Sequence, residues 1–358
     1  MRSLEVVIFP TMNNTTKNTQ IILTANPAAG NLALDEIQAV VPGARLRQWL
    51  APGVGWVGLD IAWTTLTRHF KARPPMFCRH VCPVQILIPL KQTAADLADL
   101  AEAGSWFLPD FDLTQTCSVQ TRLIGDGWPY ASYNVNVKLA EELAQRGIAL
   151  DVRQPAQILS VVLTPEQAYL GLSPAADNLS DWAGGARRFK RDEAQISRAE
   201  FKLLEAVEVF GLTWPLTGAV LDLGAAPGGW TRLLRQHDLH VVAVDPANLD
   251  ARLAADPAVR HIRQTAQSYL PKTREQFEVI LNDMRLDAQD SARLMLLAAK
   301  NLRAAGWAVV TLKLPQRGMG QAAAAAIEKL GKGYEVLGAR QLFHNRNEIT
   351  VALSKAAN

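Results

Sequence analysis

The segment Ala219-Val-Leu-Asp-Leu-Gly-Ala-Ala-Pro-Gly-Gly-Trp230 joins a buried-strand signature to a glycine turn. Ala219 to Leu223 is apolar, too short for a helix and followed by glycine, which predicts a buried strand. Gly224, Ala225, Pro227, Gly228 and Gly229 then make a tight turn, and from Trp230 the run Thr231-Arg-Leu-Leu-Arg235 begins a helix. A strand that feeds a helix through glycines brings backbone N–H groups close to a ligand. The glycine spacing is not that of a dinucleotide fingerprint, and no Lys-Ser/Thr pair follows as in a P-loop. Asp222 inside the leading strand and Asp245 at the end of the next, Val241-Val-Ala-Val244, suit a cationic, ribose-bearing ligand. S-adenosylmethionine is the expected cofactor. A glycine turn that merely closes a strand–helix unit is the competing reading.

Downstream, strand and helix alternate to the end of the chain. Strands are expected at 219–223, 241–244, 259–263, 277–281, 308–312, 334–337 and 349–353, with helices after Trp230, Leu249, Asp290 and Gly320. This is a doubly wound α/β pattern. Only a short polar turn containing His344-Asn-Arg-Asn347 separates the last two strands, too little for a parallel crossover, so the seventh strand should run antiparallel. Parallel strands gather ligands at their C-terminal edge. Asp222, Asp245, Asp283 and Lys313 end strands there, and an antiparallel last strand begins there, at Glu348. Topology thus brings Asp283, Lys313 and Glu348 together, with Lys202 approaching from the helix that precedes the first strand. That helix, Ser197 to Phe210, carries a capping box of Ser197 and Glu200 and stops at Gly211.

Upstream lies a different pattern. Residues 1–19 are expected to be a flexible leader, polar and aperiodic over 11–20. Residues 20–90 read as a small α+β, ferredoxin-like domain, with strands at 21–24, 55–63 and 84–88 and a helix at 34–40. A helix is expected over 90–103. Strands at 111–121 and 151–153, a helix at 134–147, and a hairpin of 156–163 and 167–172 follow. The strand, helix, strand and hairpin of residues 91–175 resemble the second half of a THUMP domain, an RNA-binding module, and imply that role here. Residues 176–196 change to an interdomain connection. Between Arg187 and Lys202 lie six basic residues (Arg187, Arg188, Lys190, Arg191, Arg198 and Lys202) and three acidic ones, with Phe189 available to stack on a base. A solvated linker is the alternative.

Composition restrains the rest. The 358 residues suffice for two domains or more, 49% are apolar, and the formal charge of +3 neither demands nor excludes nucleic acid. No apolar run is long enough to span a membrane and the N-terminus does not resemble a secretion signal, so the expected location is the cytoplasm. Three cysteines argue against a disulfide framework. Cys78-Arg-His-Val-Cys82 has no second ligand pair, so no metal site is expected.

Five stretches together resemble one family. Ser197-Arg-Ala-Glu-Phe-Lys202, Asp222-Leu-Gly-Ala-Ala-Pro-Gly-Gly-Trp230, Asn282-Asp283-Met, Leu312-Lys313-Leu-Pro and Ala339-Arg-Gln-Leu-Phe-His-Asn-Arg-Asn-Glu348 look like the FtsJ-type ribose 2′-O-methyltransferases. Residues 176–358 carry the likeness most specifically, and within the family it is nearest to enzymes of 23S ribosomal RNA with a THUMP-containing N-terminal region. The resemblance implies a Rossmann-like methyltransferase domain over 197–358. It also implies S-adenosylmethionine at Asp222, Gly224, Ala225, Pro227, Gly228, Gly229, Trp230, Asp245 and Asp283. The acidic residue that family members often carry toward the adenine is replaced here by Thr265 or a neighbour. The family's Lys-Asp-Lys-Glu tetrad falls on Lys202, Asp283, Lys313 and Glu348. The expected partner is RNA, 23S rRNA or its precursor, met by Arg187, Arg188, Lys190, Arg191 and Arg198; neither DNA nor a membrane is expected.

The chemistry supports such a tetrad. A ribose hydroxyl is a poor nucleophile and needs a base near its proton. Lys313 is expected to be that base, with a pKa lowered by the second lysine and by the sulfonium, Asp283 orienting it and Lys202 and Glu348 fixing the nucleotide. Two rival readings remain: an RNA-binding or ribosome-assembly protein that keeps the fold without turnover, and an NAD-dependent oxidoreductase. The glycine spacing and the hairpin ending disfavour the second. A base methyltransferase would carry a catalytic cysteine or an Asn-Pro-Pro-aromatic run where Asn282-Asp283-Met284-Arg285 stands.

Overall fold

The computed structural model describes residues 6–9 and 18–356. They divide into two compact units, Met1–Ala186 and Arg187–Asn358. Elements of the first unit, in chain order, are β1 (Val7–Ile8), β2 (Thr19–Thr24), α1 (Gly30–Val40), β3 (Arg45–Ala51), β4 (Val54–Leu59) and α2 (Trp63–Ala72). After them come β5 (His80–Val84), β6 (Ile86–Pro89), α3 (Asp96–Ser105), β7 (Cys117–Leu123), α4 (Ser132–Gln145), β8 (Gln157–Leu163) and β9 (Gln167–Pro174).

Two sheets result, in strand orders β3-β4-β2-β5 and β1-β6-β9-β8-β7. The first is antiparallel throughout. In the second only β7 and β8 run parallel, joined by α4. Leu100, Leu139, Leu143 and Leu159 are fully buried together where α3 and α4 cover β8.

Several local expectations shift. Val84–Ile88 is not one strand: the chain breaks at Gln85, whose N–H donates to the Leu170 carbonyl (2.8 Å) and whose Oε1 accepts from Leu172 N (2.6 Å). The two halves therefore enter different sheets. The alternation over 55–63 ends at Leu59, because Trp63, Leu66 and Phe70 already follow helical spacing and are the buried face of α2. The strand expected at 151–153 is a bend closed by Asp151, which accepts from Arg153 N and Gln154 N. A similar turn at Asp112, which accepts from Thr114 N (2.9 Å), delays the strand expected from Phe111 until Cys117. Within the expected leader, Val7–Ile8 pairs antiparallel with Leu87 and Ile86, and Thr19 already belongs to β2. Residues 1–5 and 10–17 lie outside the described residues. Cys78, Cys82 and Cys117 are buried thiols outside any disulfide.

The second unit runs α5 (Glu200–Val209), β10 (Ala219–Leu223), α6 (Gly229–Gln236), β11 (His240–Val244), α7 (Ala251–Ala254), β12 (Val259–Ile262), α8 (Ala266–Tyr269) and β13 (Phe277–Asn282). It ends with α9 (Ala288–Ala298), β14 (Leu302–Lys313), α10 (Met319–Leu330), β15 (Tyr334–Arg340) and β16 (Glu348–Lys355). The sheet order is β12-β11-β10-β13-β14-β16-β15. Strands β10 to β14 pair in parallel. The seventh strand, β16, is antiparallel to both neighbours, as the short turn before it requires, and it lies between β14 and β15 rather than at the edge. Val220, Leu221, Val279, Ile280, Val309 and Val310 are completely buried in the central strands, as expected for a sheet covered on both faces.

Candidate active site

Three strand ends and one helix meet at the C-terminal edge of the seven-stranded sheet. Asp283 follows the last residue of β13, Lys313 ends β14, and Glu348 opens β16 directly opposite Lys313 in the antiparallel register. Lys202 lies one turn into α5. Glu200, rather than the whole predicted box, secures that helix: its Oε1 accepts from Ile196 N (2.8 Å) and Ser197 N (3.3 Å), while Ser197 Oγ serves Ala199 N.

The four side chains form a closed ring of alternating charge. Lys202 Nζ lies 3.2 Å from both Asp283 carboxylate oxygens and 2.5 Å from Glu348 Oε1. Lys313 Nζ lies 2.8 Å from Asp283 Oδ1 and also bonds Glu348 Oε2. Side-chain exposure runs from 7% at Glu348 to 27% at Lys313, so the ring is largely withdrawn from water yet open at one lysine. Two positive and two negative charges cancel, as a desolvated cluster requires.

Thr311 belongs to this ring as well. Its hydroxyl donates to Asp283 Oδ1 (2.5 Å) and accepts from Lys313 Nζ (3.1 Å). Two residues before Lys313 on one strand, it shares that face of the sheet; this period-two spacing was the available signal. Glu205, three residues after Lys202, is the other unanticipated member. Its carboxylate accepts from Phe343 N (2.8 Å) and His344 N (3.0 Å), and so fixes the loop that delivers Glu348.

Electrostatics correct one expectation. Burial pushes the Lys313 ammonium toward neutrality, but the Asp283 and Glu348 carboxylates outweigh it and hold its pKa above the ordinary lysine value. Both carboxylates bond the ammonium directly, which sets the sign of the shift. Burial likewise pushes the Asp283 carboxyl up, while Lys202 and Lys313 with two hydrogen bonds hold it below the usual range.

Beside the ring lies a cavity of about 210 Å³ lined by Asp222, Gly224, Ala225, Pro227, Gly229, Trp230 and Asp283. Ser197, Ala199 and Arg285 also line it, none of them singled out from sequence as cofactor residues. Gly224 has φ +75°, and a Cβ there would come within 2.4 Å of Met284 Cγ. Gly228 has φ +117°, and its Cβ would meet Leu253 at 2.2 Å. The turn therefore needs glycine at both places. Trp230 is buried, its indole N–H donating to the Ala199 carbonyl (2.7 Å). Asp222 is 2% exposed, and its Oδ2 accepts from the Thr231 hydroxyl at 2.6 Å. Burial raises its pKa to about 7 against the Thr231 hydrogen bond, with Asp283 and Asp245 adding to the rise. Asp245 accepts from Ala226 N (3.2 Å) and Ala247 N (2.8 Å), tying the turn to the end of β11.

Other predicted residues fall elsewhere. Thr265 is exposed and caps α8, accepting from Ser268 N; it does not line the cavity. Arg187 makes a two-pronged pair with Glu208 (2.6 and 2.5 Å) and lies 4.3 Å from the Phe189 ring centroid. Phe189, half-buried, packs against Phe201 and His344, both with centroids at 5.7 Å. Arg188, Lys190, Arg191 and Arg198 are exposed.

Residues 195–338 match the FtsJ-like methyltransferase family. Ribosomal RNA large subunit methyltransferase M of Alkalilimnicola ehrlichii is 37% identical over 229 residues, 60% of this chain and 60% of its own length. The protein of the same name from Halorhodospira halophila is 36% identical over 49% of this chain and 52% of its own. These two alignments span less than two thirds of either relative. A third, from Pseudoalteromonas translucida, is 30% identical over 68% of this chain and 72% of the relative. The chain belongs to the family of ribosomal RNA large subunit methyltransferase M, and its second unit contains the FtsJ-like domain.

Proposed function

We propose that this chain methylates a ribose 2′-hydroxyl of 23S ribosomal RNA, with S-adenosylmethionine as methyl donor. The observation that carries the reading is the closed Lys202–Asp283–Lys313–Glu348 ring beside the glycine-lined cavity. The cavity's residues fit the cofactor. Gly224 and Gly228 permit the left-handed turn that brings its backbone to the cavity, and Asp222 is a buried carboxyl that forms no ion pair among the described residues, suited to a positively charged ligand. Asp222, Gly224, Ala225, Pro227, Gly229, Trp230 and Asp283 would hold it, with Gly228 shaping the turn and Asp245 bracing it. When bound, S-adenosylmethionine supplies an electrophilic methyl group.

The protein's own residues activate and place the hydroxyl. Lys313, the most exposed of the four, receives the proton of the 2′-hydroxyl at Nζ. Asp283 and Thr311 hold that nitrogen in direction, and Lys202 and Glu348 close the far side. Because Asp283 and Glu348 keep Lys313 protonated, its neutral fraction is small near pH 7 and the rate should climb as pH rises. The THUMP-like part of the first unit and the exposed Arg188, Lys190, Arg191 and Arg198 supply contacts to RNA phosphates.

The test is transfer of tritium from labelled S-adenosylmethionine to unmodified 23S rRNA. Lys313→Ala should lower transfer by about 10²- to 10⁴-fold while cofactor affinity stays within about twofold. Unchanged turnover in that variant refutes the assignment of the base. A wild-type protein that binds rRNA without transferring label would be an assembly factor instead.

A further inference from the structure

A second cavity, of about 530 Å³, is lined by Lys313. Its size falls within the roughly 300–1,000 Å³ of small-molecule sites. Leu286, Leu314, Pro315 and Ala322 give it apolar walls, and Gln289 stands at the start of α9 within it. Among the described residues, the Gln289 amide has no side-chain hydrogen-bond partner. Arg285 lines both this cavity and the glycine-lined one. Asp283 lines the first cavity and Lys313 the second, and their charged groups lie 2.8 Å apart, so the two spaces are neighbours at the ring.

We propose that this second cavity seats the base of the nucleotide being methylated, between the side chains of Leu286, Leu314, Pro315 and Ala322, with Gln289 reading its edge. The inference rests on the ribose-methylation reading. Its logic is connectivity: the 2′-hydroxyl must reach Lys313, and the base is attached to the carbon next to the one bearing that hydroxyl. A base so placed lies a few bonds from the hydroxyl that meets Lys313, and Lys313 lines this cavity but not the glycine-lined one. Aliphatic walls pack against the face of any base, whereas an unpartnered amide offers N–H donors and a carbonyl acceptor to its edge. Arg285, exposed between the two cavities, is placed for the adjoining phosphate.

Two measurements test this. In the first, Ala322→Trp fills the cavity from α10 without touching the ring. The KM for unmodified 23S rRNA should rise, and kcat/KM fall roughly 10- to 100-fold, the size of one lost stacking contact, with cofactor affinity unchanged. In the second, the methyl resonances of Leu286, Leu314 and Ala322 in the wild-type protein are followed during titration with each of the four nucleoside 5′-monophosphates and with ribose 5-phosphate. Shifts with at least one nucleotide and none with ribose 5-phosphate are expected. Equal shifts with ribose 5-phosphate, no shifts with any nucleotide, or a wild-type KM in a folded Ala322→Trp protein would overturn the proposal. The titration needs no methyl transfer, so a protein that fails to methylate rRNA but still shows base-dependent shifts would overturn the activity and not the base site.

Discussion

Asp222 and Asp283 stand at neighbouring strands of one sheet and are both withdrawn from water, yet their chemistry diverges. Asp222, in the glycine-lined region, has a hydroxyl for company and no cation, and its pKa is pushed up to about 7. Asp283, in the charged ring, faces two ammonium groups and is held below the usual carboxylate range. Burial acts in the same direction on both; the difference lies in the counter-ions. One region is left electrically incomplete and so suits a cationic ligand, and the other is already complete and so suits a neutral hydroxyl.

The sharpest break in that comparison is Asp283→Asn. It strips one carboxylate from a balanced, mostly buried cluster, so stability should drop by about 3–5 kcal/mol and methyl transfer by about 10²- to 10⁴-fold. Chemical denaturation and the tritium assay read the two effects separately. A variant as stable as wild type would show that the ring contributes little to folding.

Asp222→Asn should act in the other direction on stability. A carboxyl whose folded pKa exceeds its unfolded value of 3.8 favours the folded state below that value, and this advantage is lost as pH rises toward about 7. Removing it should relieve a penalty of up to about 4 kcal/mol at pH 8, visible as unfolding curves that no longer weaken between pH 4 and 7. The same substitution should loosen S-adenosylmethionine while affecting neutral-sulfur S-adenosylhomocysteine less, as read by calorimetry. Equal losses for the two ligands would mean that Asp222 does not sense the sulfonium.

The mildest change is Thr311→Val, which keeps the volume and removes one hydroxyl from the ring. About tenfold in rate and about 1 kcal/mol in stability are expected, measured as above. No change in rate would leave the Asp283 and Glu348 carboxylates as the orienting groups of Lys313.

Much of this was legible in the sequence, for reasons that differ by region. Strands of the second unit are short apolar runs bounded by glycine or acidic residues, and their C-terminal ends carry the chemistry, so pattern and topology place Asp222, Asp283, Lys313 and Glu348 together. The antiparallel course of β16 followed from the length of one turn. In the first unit, periods overlap: the alternation of β4 runs into the helical spacing of α2 at Trp63, and nothing local to Gln85 announces that one extended stretch serves two sheets. Within the site, contacts between distant elements were hidden. Glu205 reaching the loop at 343–344 and the Phe189–Phe201–His344 cluster depend on tertiary packing alone. The raised pKa of Lys313 was missed because its sign depends on which opposite charges lie nearest, a matter of ångströms and not of composition.

The balanced ring has one more consequence. With its charges cancelled, the reaction centre exerts no long-range pull on a polyanion, so capture of RNA must be left to cations elsewhere on the chain. Added salt should therefore weaken docking steeply, as counter-ion release dictates, yet leave the single-turnover rate of saturated enzyme nearly untouched. Recruitment and chemistry would then answer to different ionic conditions within one polypeptide.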